Sequence, residues 1–444
     1  MSARRWLVPG LVAVLLLGGG ALTFVRQLRA NACAAGDDVV TASKADSPLL
    51  TAAQLRRRPD QRLDRLAGAI GSMPAPFGKV VGGLAFDYGQ YLNLAGLPGG
   101  LASTTKNNAL FAVLSPSLKP RWGIDNSTDP HAWDVSSSRF FNIDQRPKKP
   151  ITVSSYDLAD GHRFWCTPVG TAPVGRDDPL STQVLADGDL LVLAGPRNGL
   201  ELSRLGAGGT IQWHRQVRGV DEGDFVGGPS GGTLVAGGRP AYELADPAAL
   251  ARTKARTSLT GYQETSGHAV WTHQSPAGSA LHVVGDLDGQ LVVTERTVGA
   301  AGATGRLFAL DTGTGRQLWT VDEPAGGQVD VALRGGVVLV RTATALFGYV
   351  GATGSLRWHT LLPKGKQLFP YGFALDQQPM LDEHRVLLAG TEALFALDVR
   401  TGKQQRFPLP VDGISTTYWP YQLVVTDQLI GVVTNIGGVV VARQ

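Results

Sequence analysis

Leu307–Trp319 reads LFALDTGTGRQLW, and these thirteen residues decide the fold. Leu307, Phe308, Ala309 and Leu310 form a short apolar run, as a buried strand needs. Asp311 follows, where a carboxylate can accept the amides of a turn. Small residues come next. Gly315, at the ninth position, can take the left-handed backbone that a hairpin loop of this length requires. Trp319 ends the unit, a large ring placed to pack one sheet on another.

The same unit recurs along the chain: LFAVLSPSLKPRW at 110–122, VSSYDLADGHRFW at 153–165, ELSRLGAGGTIQW at 201–213, LTGYQETSGHAVW at 259–271, LFGYVGATGSLRW at 346–358 and LFALDVRTGKQQR at 394–406. Val440–Ala442 begins a further partial copy. The ninth-position glycine is Gly161, Gly209, Gly267, Gly315, Gly354 and Gly402, and the turn carboxylate is Asp157, Asp311 and Asp398. The thirteenth position is Trp122, Trp165, Trp213, Trp271, Trp319 and Trp358, six of the nine tryptophans, so the ring is a property of the repeat. A second apolar run precedes most copies, as in Gly336–Val340 and Arg385–Ala389. Three to four short strands per unit, at steps of 39 to 58 residues, are the signature of β-propeller blades.

The pattern Ala309-Leu310-Asp311, Thr314-Gly315, Trp319, nearly matched at Ala396-Leu397-Asp398 and Thr401-Gly402, resembles the repeat of PQQ-type quinoprotein propellers. Folds related to that family include the propeller lipoprotein of the outer-membrane assembly machinery. The resemblance covers residues 80 to 444 and implies an all-β propeller. It implies fold strongly and activity weakly. Seven full copies and a partial one favour eight blades; seven is the count if the copy at 110 or 153 is absorbed into an irregular blade. The last blade lacks a return strand, which Lys79–Asp87 could supply and so close the ring. Residues 123–150, with Pro130, Pro147 and Pro150, read as a long loop on one face.

Trp6–Val25 is a run of twenty residues without a charge, long enough to cross a bilayer as a helix. Arg4 and Arg5 before it favour a cytoplasmic N-terminus. The rival reading is a signal peptide cleaved near Ala30-Asn31-Ala32, although Arg26 and Arg29 stand between the apolar run and that site. Either way the body is exported. The expected organisation is an anchor over 1–30, an extracytoplasmic stalk over 31–78 and a propeller over 79–444, on a single-pass protein of the cell membrane. Within the stalk, Asp46-Ser47-Pro48 and Pro59-Asp60 read as helix starts, and Leu63, Leu66, Ala67 and Ile70 fall on one helical face. Arg56, Arg57, Arg58, Arg62 and Arg65 read as a solvated face, or as a contact with anionic headgroups. Cys33 and Cys166 have no metal-site spacing; outside the cytoplasm they can pair and staple the stalk to the first blades.

Hydrophobic residues make up 43% of the chain, enough for a sizeable core, and charged residues 18%, below the roughly 25% of typical soluble domains. The formal charge of +4 lies partly in the N-terminal arginines, and no basic stripe interleaved with aromatics suggests nucleic acid. In the quinoproteins that the repeat resembles, PQQ lies in the central channel with calcium, often beside adjacent cysteines. This chain has no adjacent cysteines, and neither the calcium ligands nor the catalytic base carries over. Asp286-Leu287-Asp288-Gly289 reads as a turn rather than a calcium loop. Asp221, Glu222 and Asp224 read as a solvated loop, and His214 and His359 as strand positions. Gly227–Gly232 lacks the spacing of a nucleophile elbow. The basic clusters Arg146–Lys149 and Arg252–Arg256 sit where units are stretched, as solvated or partner-docking loops. The expectation is a non-catalytic, monomeric propeller without cofactor, which binds an envelope protein or a cell-wall polymer. The alternatives are a PQQ-dependent oxidoreductase or a hydrolase built from loop carboxylates.

Overall fold

The computed structural model describes residues 33, 38–41, 49–55, 61–85, 92–105, 108–125, 132–144, 150–169, 180–195, 200–217, 225–227, 232–238, 257–299, 302–324, 328–362, 375–390, 393–409, 420–434 and 437–444. They form an all-β, eight-bladed propeller. Blade 5 shows the plan. Its antiparallel strands Ser279–Leu287, Gln290–Gly299, Gly302–Asp311 and Gln317–Asp322 follow one another from the inner edge outward. The second strand of a blade is covered on both sides by neighbouring blades, so it reads as a continuous apolar run. Val337–Thr342 and Leu429–Thr434 are buried at every residue. The outer strand has one face in water, and Gln317–Asp322 accordingly alternates exposed and half-buried side chains in its second half.

Both hairpin turns of a blade fall on one face of the ring. The outer hairpin always takes five residues, as at 158–162 and 312–316, and the inner one two to five. The other face carries the middle turns and the connections between blades, and the strand ends joined by the far longer segments 238–257 and 409–419 lie on it. These are here called the turn face and the loop face. Asp288-Gly289 is a two-residue inner turn with φ of +50° and +82°, the left-handed pair that an Asp-Gly hairpin adopts.

Six of the eight junctions between blades use one device. The tryptophan on the outer strand of one blade lies across the ninth-position glycine of the next: Trp122 on Gly161, Trp165 on Gly209, Trp213 on Gly267, Trp271 on Gly315, Trp319 on Gly354 and Trp358 on Gly402. Those glycines have φ between +65° and +80°, and a β-carbon on any of them would stand 2.5–2.7 Å from the indole. Glycine therefore serves both the left-handed turn and the ring that covers it. Five of the indoles also donate to a carbonyl of the covered turn, Trp122 to Leu158 and Trp165 to Ala207 among them.

The last two junctions differ because the chain closes there. Phe77–Ala85 pairs with Gly437–Arg443 and becomes the outer strand of blade 8. No outer hairpin exists in that blade for blade 7 to cover. The helix Gln61–Gly71 fills the place, with Leu63, Leu66 and Ile70 in one cluster with Leu387, Phe407 and Ile430, and Phe77 set edge-on to Phe407 at 5.0 Å. Between blades 8 and 1 the sizes are exchanged. Leu118, at the ninth position of the first repeat, takes φ +60°, and its side chain lies over Gly82, whose β-carbon would stand 2.6 Å from it.

Two sequence expectations change. Residues 123–150 are not one long loop, since they hold Ala132–Val135 and Arg139–Asp144, the inner strands of blade 2. The buried Phe140, Phe141 and Ile143 outweigh the flanking prolines. Nor do the described residues of 31–78 stand off as a stalk. They run round the rim, with Cys33 bonded to blade 2, Asp38–Thr41 added to the outer edge of blade 1 and Leu50–Thr51 to that of blade 8. The helix then lies against blades 7 and 8. A short helix, Ala52–Leu55, begins at Thr51, where Gln54 and Thr51 cap each other's amides; Asp46-Ser47-Pro48 lies outside the described residues. Arg62 and Arg65 face solvent, and Arg56–Arg58 lie outside the described residues.

Candidate functional site

The inner strands surround the central channel, and their polar side chains reach sideways. Asp134 of blade 2 accepts the Val184 amide of blade 3 at 2.7 Å. Asp330 of blade 6 accepts the Leu375 amide of blade 7 and faces Arg341 at 3.7 Å. Gln422 of blade 8 both accepts from the Leu94 amide and donates to its carbonyl in blade 1, at 2.8 and 2.7 Å. Asp286 accepts from the Thr312 hydroxyl. Burial pushes the Asp134 carboxyl above its ordinary range, against the pull of the Val135 and Val184 amides. Each of these groups holds one part of the ring to another.

A cavity of about 580 Å³ lies where blades 7, 8 and 1 meet, lined by the amides of Gln377, Gln378 and Gln422 and by Leu94 and Val424. A second of the same volume lies outside blades 3 and 4, with Arg215, Tyr262 and His268. No carboxylate lines either cavity among the described residues, so neither assembles the acid pair of a glycosidase.

The structure places the residues singled out in the sequence as follows. The six tryptophans and six glycines meet at the junctions described above. Asp157, Asp311 and Asp398 accept turn amides from Ala159, from Thr314, and from Arg400 and Thr401. The Thr314 hydroxyl and amide hold the Asp311 carboxyl below its ordinary range. Cys33 and Cys166 form a disulfide across 133 residues. His214 lies exposed on its outer strand, and His359 stacks on Phe347 at 6.0 Å. Asp221, Glu222, Arg146–Lys149 and Arg252–Arg256 lie outside the described residues, as does Trp6–Val25. Among the described residues no helix is long and apolar enough to cross a membrane.

The sequence reading missed the groups that join the inner strands. Their signal is weak, one polar residue within a short apolar strand, as at Asp134 in AWDV. It also missed the ion cluster on the turn face of blade 3, where Arg204 meets Asp187, Asp189 and, across the junction, Glu264 of blade 4.

Residues 255–408 match the family model described as outer membrane protein assembly factor BamB. The matched segment runs from the third strand of blade 4 to the end of blade 7. The chain carries the PQQ-type propeller repeat. Solved structures similar to it include BamB from Moraxella catarrhalis, at 14% identity over 82% of this chain and 99% of that one, with a TM-score of 0.46. A quinohemoprotein alcohol dehydrogenase from Pseudomonas putida HK5 is 12% identical over 80% of this chain and 71% of its own, TM-score 0.46. Another from Comamonas testosteroni is 11% identical over 86% and 84%, TM-score 0.44. No curated protein matches the chain.

Repeats of this type raise the question of PQQ and calcium. The described residues do not fit that pair. Both cysteines are joined to each other on the rim. Asp134, Asp286 and Asp330 on the inner strands each hold another part of the chain. Among the described residues no three His, Cys, Asp or Glu side chains gather as metal ligands.

Proposed function

We propose that this chain is a non-catalytic binding propeller on the outer side of the cell membrane, tethered by the apolar segment Trp6–Val25 within an anchor over 1–30. Its loop face is presented to an envelope protein or a cell-wall polymer. The observation that carries the reading is the engagement of Asp134, Asp286 and Asp330, the carboxylates on the described inner strands, which bind the ring's own blades rather than facing one another across the channel. The division of the connections supports it, since the strand ends on one face are joined by turns of two to five residues and those on the other by segments of up to twenty. A scaffold with its variable segments on one face is the usual arrangement for a binding protein. The match to the assembly-factor model is in keeping with a scaffold role.

The test is site-specific photo-cross-linking in intact cells. A photoreactive side chain at positions within 238–257 or 409–419 is expected to give discrete adducts with protein or with wall polymer. Positions on the turn face, such as Thr353, are expected to give none. Adducts from the turn face alone would overturn the assignment of the binding face.

A further inference from the structure

The rim of blade 2 carries a surface that the binding reading does not use. Phe164, on the outer strand Arg163–Val169, is 46% exposed. The Arg139 guanidinium lies 4.8 Å from its ring centre, and the His162 ring stands edge-on to it at 5.7 Å. Arg163 beside it donates to the carbonyl of Cys33 at 3.5 Å. Two residues further along the strand, Cys166 carries the disulfide to Cys33. Phe164 thus carries one guanidinium over its ring and a second on the neighbouring residue, and Arg139 donates as well to the Ala207 carbonyl of blade 3; an exposed Phe beside basic side chains is a combination found at membrane interfaces.

The disulfide fixes where the N-terminal segment leaves the propeller. From Cys33 back to Val25, the end of the apolar run, is eight residues, which fully extended reach about 28 Å. A bilayer holding that run must therefore approach the ring at blade 2. Asp157 and Asp160 stand on the adjoining turn and accept the amides of Ala159 and His162. Arg26 and Arg29 in the link tip the local balance positive, toward anionic headgroups. Val270 and Leu318 occupy the repeat position of Phe164 in blades 4 and 5 and are also exposed, but neither lies beside the fastening of the N-terminal segment.

We infer that the blade 2 rim, with Phe164 at its centre and Arg139 and Arg163 flanking it, rests on the anionic lipid surface of the membrane that holds the chain. The contact lies at the turn-face end of the outer strand, so the ring is held edge-on and its loop face is left free. This orientation rests on the anchored reading above.

The experiment places the photoreactive residue p-benzoylphenylalanine at 164, and separately at 318, in the full chain in native membranes. Irradiation is expected to add phospholipid mass at 164 and none at 318, with the chain resisting alkaline extraction. Phospholipid adducts at both positions, a protein adduct at 164, or no adduct at 164 on a chain that resists extraction would overturn the rim contact alone. Release of the chain by alkali would overturn the anchor and the contact together. Arg139→Gln with Arg163→Gln is expected to lower the lipid adduct at 164 at least threefold without altering retention; an unchanged yield would remove the guanidiniums from the contact.

Discussion

The indole of Trp271 lies across Gly315 of the next blade so closely that a β-carbon there would stand 2.7 Å from the ring. Gly315→Ala therefore combines left-handed strain at φ +68° with overpacking against a ring fixed in its own sheet. The expected loss is about 3 kcal/mol. Gly188 has φ +85° but nothing within 4 Å of its would-be β-carbon, so Gly188→Ala should lose only about 1 kcal/mol. Urea unfolding of the two variants compares the terms, and equal losses would remove the ring contact from the explanation.

The six indoles are not equivalent. Trp271 donates to the Thr312 carbonyl at 2.8 Å, whereas the buried nitrogen of Trp319 has no hydrogen-bond partner among the described residues. Trp271→Phe leaves a carbonyl unsatisfied and Trp319→Phe does not. The first should be the more destabilising by about 1 kcal/mol, read from denaturation midpoints at equal slope.

The disulfide closes a loop of 133 residues, which in the chain-entropy account is worth up to about 5 kcal/mol. It fastens the N-terminal segment to blade 2, before that segment adds strands to blades 1 and 8. Cys33→Ser should lower stability by at least about 2 kcal/mol and speed proteolysis ahead of residue 50. A thiol count on the denatured, unreduced protein should give none.

Between blades 4 and 5, His273 packs on Phe308 at 5.3 Å. Burial lowers its pKa, with the Glu295 charge opposing and Arg306 reinforcing the shift. A histidine whose folded pKa lies below its unfolded value near 6.5 favours folding above that value. The contribution is lost as the pH falls through 6.5 toward the folded pKa. The melting temperature should drop between pH 7.5 and 5.5, and His273→Phe should flatten part of that drop. A variant with the same slope as the parent would rule out His273 as the group responsible.

The blades were legible because the repeat states its physics in each copy: an apolar run for the strand, glycine for the left-handed turn, tryptophan for the junction. The closing strand was legible too, because Val440–Ala442 begins a repeat whose outer strand is missing and Lys79–Asp87 has the pattern to supply it. What escaped was the irregular part. Leu118 occupies a glycine position, and its side chain meets Gly82 of the closing strand. Asp134 and Gln422 act between blades and leave no periodicity to read. The helix Gln61–Gly71 showed its apolar face in sequence, but part of the surface it covers, Leu387, Phe407 and Ile430, lies more than three hundred positions away.

The binding reading is tested most directly by titrating the full-length chain with PQQ, with and without calcium, followed by absorbance and thermal shift. With the inner-strand carboxylates holding the ring and the cysteines joined on its rim, neither saturable binding nor a calcium-dependent rise in melting temperature is expected. Saturable, calcium-dependent binding would contradict the reading and make this propeller an oxidoreductase.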